Sequence, residues 1–373
     1  MTPRPPITIP SNLLPSDGRF GSGPSKIQQS FVTDLASTGT DLLGTSHRRK
    51  TVQSIVGGIR DQISNLYRLP DGYEVVLGVG GATAFWDAAT FGLIDRQSAH
   101  FVCGEFSEKF ATVTAGAPHL GEPVIVKAPY GSAPLPVAVS GVDVAAFIHN
   151  ETSTGVMAPF GRHSEALVLV DGTSAAGAIP FDVTAVDAYY FSPQKALGSE
   201  GGLWLAIVSA AAIERIKTIA GSDRWIPPFL SLETALDNSR RDQTYNTPSL
   251  TTLYLLDRQL SSVLDQGGME WAASRTMESS GLLYNWADSS TYASAFVEDP
   301  SLRSPTVVTL DFADDITADT IASVLKDNGI VDTESYRKLG RNQLRIATFP
   351  NIDPDDIAAL IACIEFVVER LAG

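Results

Sequence analysis

Cysteine is nearly missing from this chain: Cys103 and Cys363 are the only two in 373 residues. So thin a supply argues against a disulfide framework and makes a reducing cytoplasm the expected compartment. Long hydrophobic runs are missing as well. The richest stretch, 203–213, is interrupted by Ser209 and is too short to cross a bilayer, so no membrane partner is expected. The first residues hold Pro3, Pro5, Pro6, Pro10 and Pro15 without an apolar centre, which does not read as a signal peptide. Residues 1–18 are expected to form a loosely ordered arm. Positive charge is scarce: 27 Lys and Arg face 42 Asp and Glu, for a net charge of -15. A nucleic-acid partner needs clustered cations, so that class is disfavoured. The histidines, His47, His100, His119, His149 and His163, never fall at ligand spacing, and no metal set is legible. A G-x-S-x-G elbow is absent, and with it support for a serine hydrolase. Internal repeats and low-complexity tracts are absent too.

What is present describes an ordinary globular chain, with 44% hydrophobic and 18% charged residues and a length that suits two domains. Strands are expected at 73–77, 100–103, 123–127, 144–149, 167–170, 188–191 and 203–208. Several are apolar on both faces, and helical stretches such as 82–93 fall between some of them. That alternation predicts an α/β fold with a mostly parallel seven-stranded sheet. The last third changes character, with helices expected at 250–264, 269–287, 317–328 and 354–371 and strands at 306–312 and 343–348. Asp353 can cap the last helix, with Pro354 in its first position and Asp355 and Asp356 suited to its dipole. The pattern predicts a large domain over 19–260 and a small α+β domain over 261–373.

The chemistry centres on Lys195, in Ser192-Pro193-Gln194-Lys195, just after an expected strand. Asp171 ends the apolar run Leu167-Val168-Leu169-Val170 about one βα unit earlier. A strand tip carrying an aspartate, a crossover and then a strand tip carrying a lysine suit pyridoxal phosphate (PLP): the amine forms the Schiff base, and the carboxylate keeps the pyridine nitrogen protonated. Gly78-Val79-Gly80-Gly81-Ala82-Thr83 follows a strand and opens a helix, as a plain tight turn or as a cradle for the cofactor phosphate. Thr152, in Asn150-Glu151-Thr152, either caps a loop or donates to the cofactor's phenolic oxygen. Phe106 either packs in the core or lies on the cofactor ring. Gln194, with Thr173 and Ser174 as weaker candidates, can reach the phosphate. Asn246-Thr247-Pro248 opens a helix and can also bond a phosphate. Two basic clusters, His47-Arg48-Arg49-Lys50 and Arg337, Lys338, Arg341 with Arg345, read as solvated charge or as the seat of a small polyanion.

Taken together these motifs resemble the phosphoserine aminotransferases, of the class V branch of fold type I PLP enzymes, along nearly the whole chain. Gly21-Ser22-Gly23-Pro24, Ser46-His47-Arg48, Gly80-Gly81, Asn150-Glu151-Thr152, Asp171-Gly172-Thr173, Gln194-Lys195, Asn246-Thr247-Pro248 and Arg345 carry the resemblance. The actinobacterial type looks nearest, through Phe20-Gly21-Ser22-Gly23-Pro24 and the run from Tyr336 to Asn342. The resemblance implies a homodimer that moves an amino group from L-glutamate to 3-phosphohydroxypyruvate, giving 2-oxoglutarate and O-phospho-L-serine. A related phosphorylated substrate on the route to pyridoxal phosphate is a second possibility in this family. Lys195 would be the Schiff-base lysine and general base, Asp171 the pyridinium partner, Phe106 the stacking ring and Thr152 the phenolic-oxygen donor. Gly81, Ala82 and Gln194, with Asn246 and Thr247 from the second subunit, would hold the cofactor phosphate. Arg345 would clamp the α-carboxylate. His47 and Arg48, with Ser22 nearby, would take the distal phosphate or the γ-carboxylate. Other branches carry arginine where this chain has Ala82, and Lys338 is the first choice to replace that cation. The alternative is another class V aminotransferase, acting on serine or alanine with glyoxylate, for which the two basic clusters would be surplus.

Overall fold

The computed structural model describes residues 7–372. Seven strands form the main sheet: β1 (Glu74–Val79), β2 (Ser98–Val102), β3 (Val124–Lys127), β4 (Val144–Ile148), β7 (Leu167–Asp171), β8 (Ala188–Phe191) and β9 (Leu203–Val208). Between β4 and β7 a short ribbon pairs β5 (Asn150–Glu151) with β6 (Val156–Met157). The sheet order is β1-β9-β8-β7-β4-β2-β3. Only β9 runs against its neighbours, so the sheet is mostly parallel, as the unbroken apolar runs predict. Every residue of β7, β8 and β9 is buried, because helices cover both faces.

The helices in chain order are α1 (Gln29–Thr38), α2 (Lys50–Tyr67), α3 (Gly81–Gly92), α4 (Glu105–Ala115), α5 (Ala210–Ala220), α6 (Leu232–Ser239), α7 (Leu250–Asp265), α8 (Gly268–Ser289), α9 (Ala318–Asp327) and α10 (Pro354–Ala372). On one face of the sheet, Val52, Val56, Ile59 and Ile63 of α2 pack with Leu253, Leu256 and Leu260 of α7. The α2 residues recur every three to four positions, so the stripe they form faces the sheet. Burying each contributes about 1.5–3 kcal/mol as an upper figure. The other face is covered by α3, α5 and α6 through Phe85, Trp86, Ile213, Ile216 and Leu236.

A second sheet, β10 (Ala293–Ala295), β11 (Val307–Phe312) and β12 (Gln343–Ala347), is antiparallel and is covered by α8, α9 and α10. Asp353 caps α10 as expected, its Oδ1 accepting from Asp355 N at 3.0 Å. β10 is three residues long and was not foreseen, because Ala-Ser-Ala carries no strand pattern. We propose a domain division near residue 260, close to the junction of α7 and α8.

The expectation of a loose arm over 1–18 is corrected for its described part. Ile9 is buried in the core of the smaller sheet. Its N–H donates to Asn328 Oδ1 at 2.9 Å, and Asn328 Nδ2 returns a bond to Ile7 O at 3.0 Å. Ser16 N donates to Asp356 Oδ1 at 2.7 Å. Apolar Ile9, Leu13 and Leu14 between the prolines give this stretch something to bury. Residues 1–6 lie outside the described residues.

Candidate active site

The carboxyl ends of parallel strands point to one edge of the sheet, where such folds bind ligands. Register brings Asp171 beside Ile148 of β4 and Tyr190 of β8. A cavity of about 380 Å³ opens there. Ser22, Gly81, Ala82, Phe106, Thr152, Asp171, Gln194, Lys195 and Arg345 line it, so nine of the expected site residues converge.

Lys195 is buried, and its Nζ donates to Thr152 Oγ1 at 2.6 Å. The backbone around it is pinned by Ser25 Oγ, which donates to Lys195 O at 2.6 Å. Gly23 lets the chain pass this close: a Cβ there would stand 2.8 Å from Lys195 Cε, and its φ of +137° favours glycine. Burial lowers the Lys195 amine to about 8, with Arg345 adding to the fall and Asp171 and Glu151 opposing it. An amine in that range can both take and release a proton near neutral pH.

Asp171 is buried, and burial raises its pKa against the pull of Thr173, Lys195 and Trp86. Among the described residues its carboxylate accepts from two donors only, Thr173 N at 2.9 Å and Trp86 Nε1 at 3.3 Å. A buried carboxylate so lightly satisfied has room for a cationic partner on the cavity side.

Phe106 sits on the first turn of α4, with Lys195 Nζ 4.9 Å from its ring centroid. Glu151, fully buried, fixes that turn: it accepts from Phe106 N at 3.3 Å, Ser107 N at 3.0 Å and Ser107 Oγ at 3.0 Å. An acid at a helix N-terminus meets orphan N–H groups and the positive end of the dipole. Gly80 and Gly81, at φ +117° and +75°, turn the chain from β1 into α3. That leaves the first N–H groups of α3 at the cavity wall, a site for an anion. Ser192 Oγ donates to Gln194 Oε1 beside that turn, where a Cβ on Gly81 would stand 3.6 Å from the Ser192 hydroxyl. Among the described residues the buried Asn150 Oδ1, Thr173 Oγ1 and Arg345 Nε find no partner. This donor set fits pyridoxal phosphate: an amine for the aldehyde, a carboxylate for the ring nitrogen, an aromatic face and a helix N-terminus for the phosphate.

Five expected site residues fall outside the cavity wall. His47 and Arg48 do not line that cavity with Ser22 in one chain. They group instead with the loop before α7: Thr247 Oγ1 lies 3.2 Å from His47 Nδ1, and Arg48 Nη1 donates to Gln243 Oε1 at 2.7 Å. Asn246 and Thr247 are exposed in that loop. Lys338 is exposed and paired with Glu105, which Lys109 also approaches at 3.3 Å. It therefore stands at the rim rather than in the wall, because Glu105 offers a carboxylate at closer range. Three lining residues carried no signal of their own. Gly23 lies in the Gly21–Pro24 motif, Trp86 in the expected helix over 82–93, and Tyr336 in the run from Tyr336 to Asn342. Only the indole N–H of Trp86, a polar handle in an apolar stretch, hinted at a partner.

Among the described residues no group of three or more His, Cys, Asp or Glu is placed to hold a metal. Among these same residues no helix is long and apolar enough to cross a membrane. The family model described as aminotransferase class-V matches residues 138–333. A protein of Mycolicibacterium vanbaalenii, provisionally named a phosphoserine aminotransferase, is 55% identical over 368 residues, 98% of this chain and 99% of that one. The phosphoserine aminotransferase of a Nocardioides species is 53% identical over 370 residues, again 98% of this chain and 99% of its own. Among solved structures, a phosphoserine aminotransferase from Cytophaga hutchinsonii superposes with a TM-score of 0.87 at 24% identity, covering 94% of this chain and 99% of that one. That last likeness speaks to the fold.

Proposed function

The chain belongs to the class V aminotransferases and, among them, to the phosphoserine aminotransferases. From that premise we propose that it moves an amino group reversibly between L-glutamate and 3-phosphohydroxypyruvate, yielding 2-oxoglutarate and O-phospho-L-serine. The single observation that carries the reading is Lys195, buried, held by Thr152 and facing Phe106 at the edge where Asp171 ends β7.

Bound in this cavity, pyridoxal phosphate supplies the electron sink that makes the substrate Cα–H acidic. The chain's own residues do the rest. Lys195 Nζ would take the proton from Cα and return it to the carbon on the far side of the amino nitrogen, a 1,3-shift for which an amine near pKa 8 is suited. Asp171 holds the proton on the ring nitrogen, and Phe106 covers one ring face. Thr152 Oγ1 donates to the phenolic oxygen. The N–H groups of Gly81 and Ala82 and the amide of Gln194 hold the phosphate. Arg345 takes the α-carboxylate common to both substrates in a bidentate fork. Ser22 lies beside that fork on the cavity wall.

A homodimer completes the site in this reading. Asn246 and Thr247, grouped with His47 and Arg48 away from their own cavity, would reach the partner's cofactor phosphate and the distal group of its substrate. Exposed Trp225, Phe229 and Tyr245, at 75%, 49% and 46%, give such an interface apolar surface to bury. Lys338, on the rim beside Glu105, is our candidate for the cation missing at Ala82. Two buried, unbridged cysteines suit a cytoplasmic enzyme.

The test is a reverse-direction assay with purified protein, 2-oxoglutarate and O-phospho-L-serine, following glutamate, with L-serine and L-alanine as parallel donors. Activity with phosphoserine and little with the other two is the expected result. Preference for serine or alanine would keep Lys195 and Asp171 in place but overturn the phosphate reading of the basic clusters.

A further inference from the structure

Arg345 is held in a way that leaves its donors free. It projects from β12, opposite Thr309 of β11. Its Nη1 donates to Thr152 O at 3.3 Å, and its buried Nε has no partner among the described residues. Among the described residues no carboxylate pairs with it. Its Cζ lies over the ring of Tyr336 instead, 5.3 Å from the ring centroid. An acid in that place would fill the fork that a substrate carboxylate must enter. An aromatic face attracts the cation from above its plane and occupies none of the in-plane N–H donors.

Tyr336 is itself fixed on two sides. Its ring lies 6.0 Å from that of Phe106, at 53°. Lys338, two residues on, pairs with Glu105, which precedes Phe106 in the chain and lies 233 positions away from Lys338. That ion pair draws the Tyr336 segment onto the helix that carries Phe106. On the other side, Arg345 N donates to Thr333 O at 3.0 Å, tying β12 to the same segment. The Tyr336 hydroxyl makes no hydrogen bond among the described residues, so only its ring is in use.

We propose that Tyr336 is a positioning residue for the amino transfer. Its ring face orients the Arg345 guanidinium, and its contact with Phe106 sets where that plane stands relative to Lys195. A substrate α-carboxylate then meets a preoriented fork. The inference rests on the reading of Arg345 as the α-carboxylate clamp.

The experiment uses the cofactor-loaded enzyme and two variants, Tyr336→Leu and Tyr336→Phe. Tyr336→Leu removes the aromatic face and is expected to raise KM for both L-glutamate and O-phospho-L-serine roughly 3- to 30-fold, with kcat nearly unchanged. Tyr336→Phe keeps the face and is expected to behave as wild type. If the leucine variant does not fold, Tyr336→Gln takes its place at this partly exposed position. Maleate, a dicarboxylate that cannot be transaminated, supplies a binding readout: its dissociation constant is expected to rise by the same factor as KM. An unchanged KM and maleate affinity in the ringless variant would overturn the proposal. So would a phenylalanine variant as impaired as the leucine one, since that would assign the role to the hydroxyl. Should the wild type fail to transaminate phosphoserine, the functional reading falls, while the maleate comparison still decides the role of Tyr336.

Discussion

Gly23→Ala tests how tightly the lysine is confined. The added Cβ would stand 2.8 Å from Lys195 Cε, 3.1 Å from Cγ and 3.4 Å from Cδ. Ordinary carbon contacts lie near 3.5–4.0 Å, so the lysine chain must retreat by roughly 1 Å. It is buried, and its Nζ is pinned to Thr152 Oγ1 at 2.6 Å, so a retreat of that size breaks the bond. Misplacing a reacting group by such a distance costs on the order of 100-fold in rate. Separately, a non-glycine residue at φ +137° carries strain of about 1–3 kcal/mol. The variant is therefore expected to melt a few degrees lower and to lose kcat far beyond what its lost stability explains. The assay is steady-state kcat with phosphoserine at a temperature well below the melting transition, with the melt recorded in parallel. A lower melting temperature with kcat intact would show that Lys195 is not held by this close approach.

Other consequences follow from the same geometry. Burial lowers Lys195 to about 8, so between pH 8 and its ordinary value of 10.5 the unfolded chain binds the extra proton and stability rises with pH. In the cofactor-free protein, denaturant titrations are expected to show that rise, and Lys195→Met is expected to flatten it. Trp86→Phe removes the indole donor 3.3 Å from Asp171, and an equilibrium titration is expected to find cofactor affinity several-fold weaker, in line with a loss of about 1 kcal/mol. Lys338→Ala is expected to raise KM for phosphohydroxypyruvate more than KM for glutamate, and an unchanged KM for the phosphorylated substrate would reject its role. Glu151→Ala strands the N–H groups of Phe106 and Ser107 in a buried site, and urea unfolding is expected to record a loss of about 2–4 kcal/mol.

The sheet and the inner site were legible because each rests on local pattern. Apolar runs buried on both faces marked β4, β7, β8 and β9, and Asp171, Thr152 and Lys195 stand at or just beyond strand ends, where parallel sheets gather ligands. Phe106 and Arg345 were likewise readable from position. Less legible was whatever depends on distant pairing. Lys338 reads as a free cation until Glu105, far away in the chain, is brought against it. His47 and Arg48 read as neighbours of Ser22, but the turn ahead of α2 carries them to the loop before α7. Trp86 and Tyr336 carry no pattern of their own in the sequence, and what sets them apart is the partner each meets, Asp171 and Arg345. The arm shows the same limit: its prolines suggested looseness, but Asn328 and the core around Ile9 hold its described part.

The central claim is that Lys195 moves the proton during amino transfer, and a half-reaction tests it most directly. Purified protein loaded with pyridoxal phosphate is mixed with O-phospho-L-serine, without an oxo acid, while absorbance near the visible edge is followed. The account predicts rapid bleaching in the wild type and bleaching slowed by several orders of magnitude in Lys195→Ala, with partial rescue by added small primary amines. Bleaching at the wild-type rate in Lys195→Ala would contradict it.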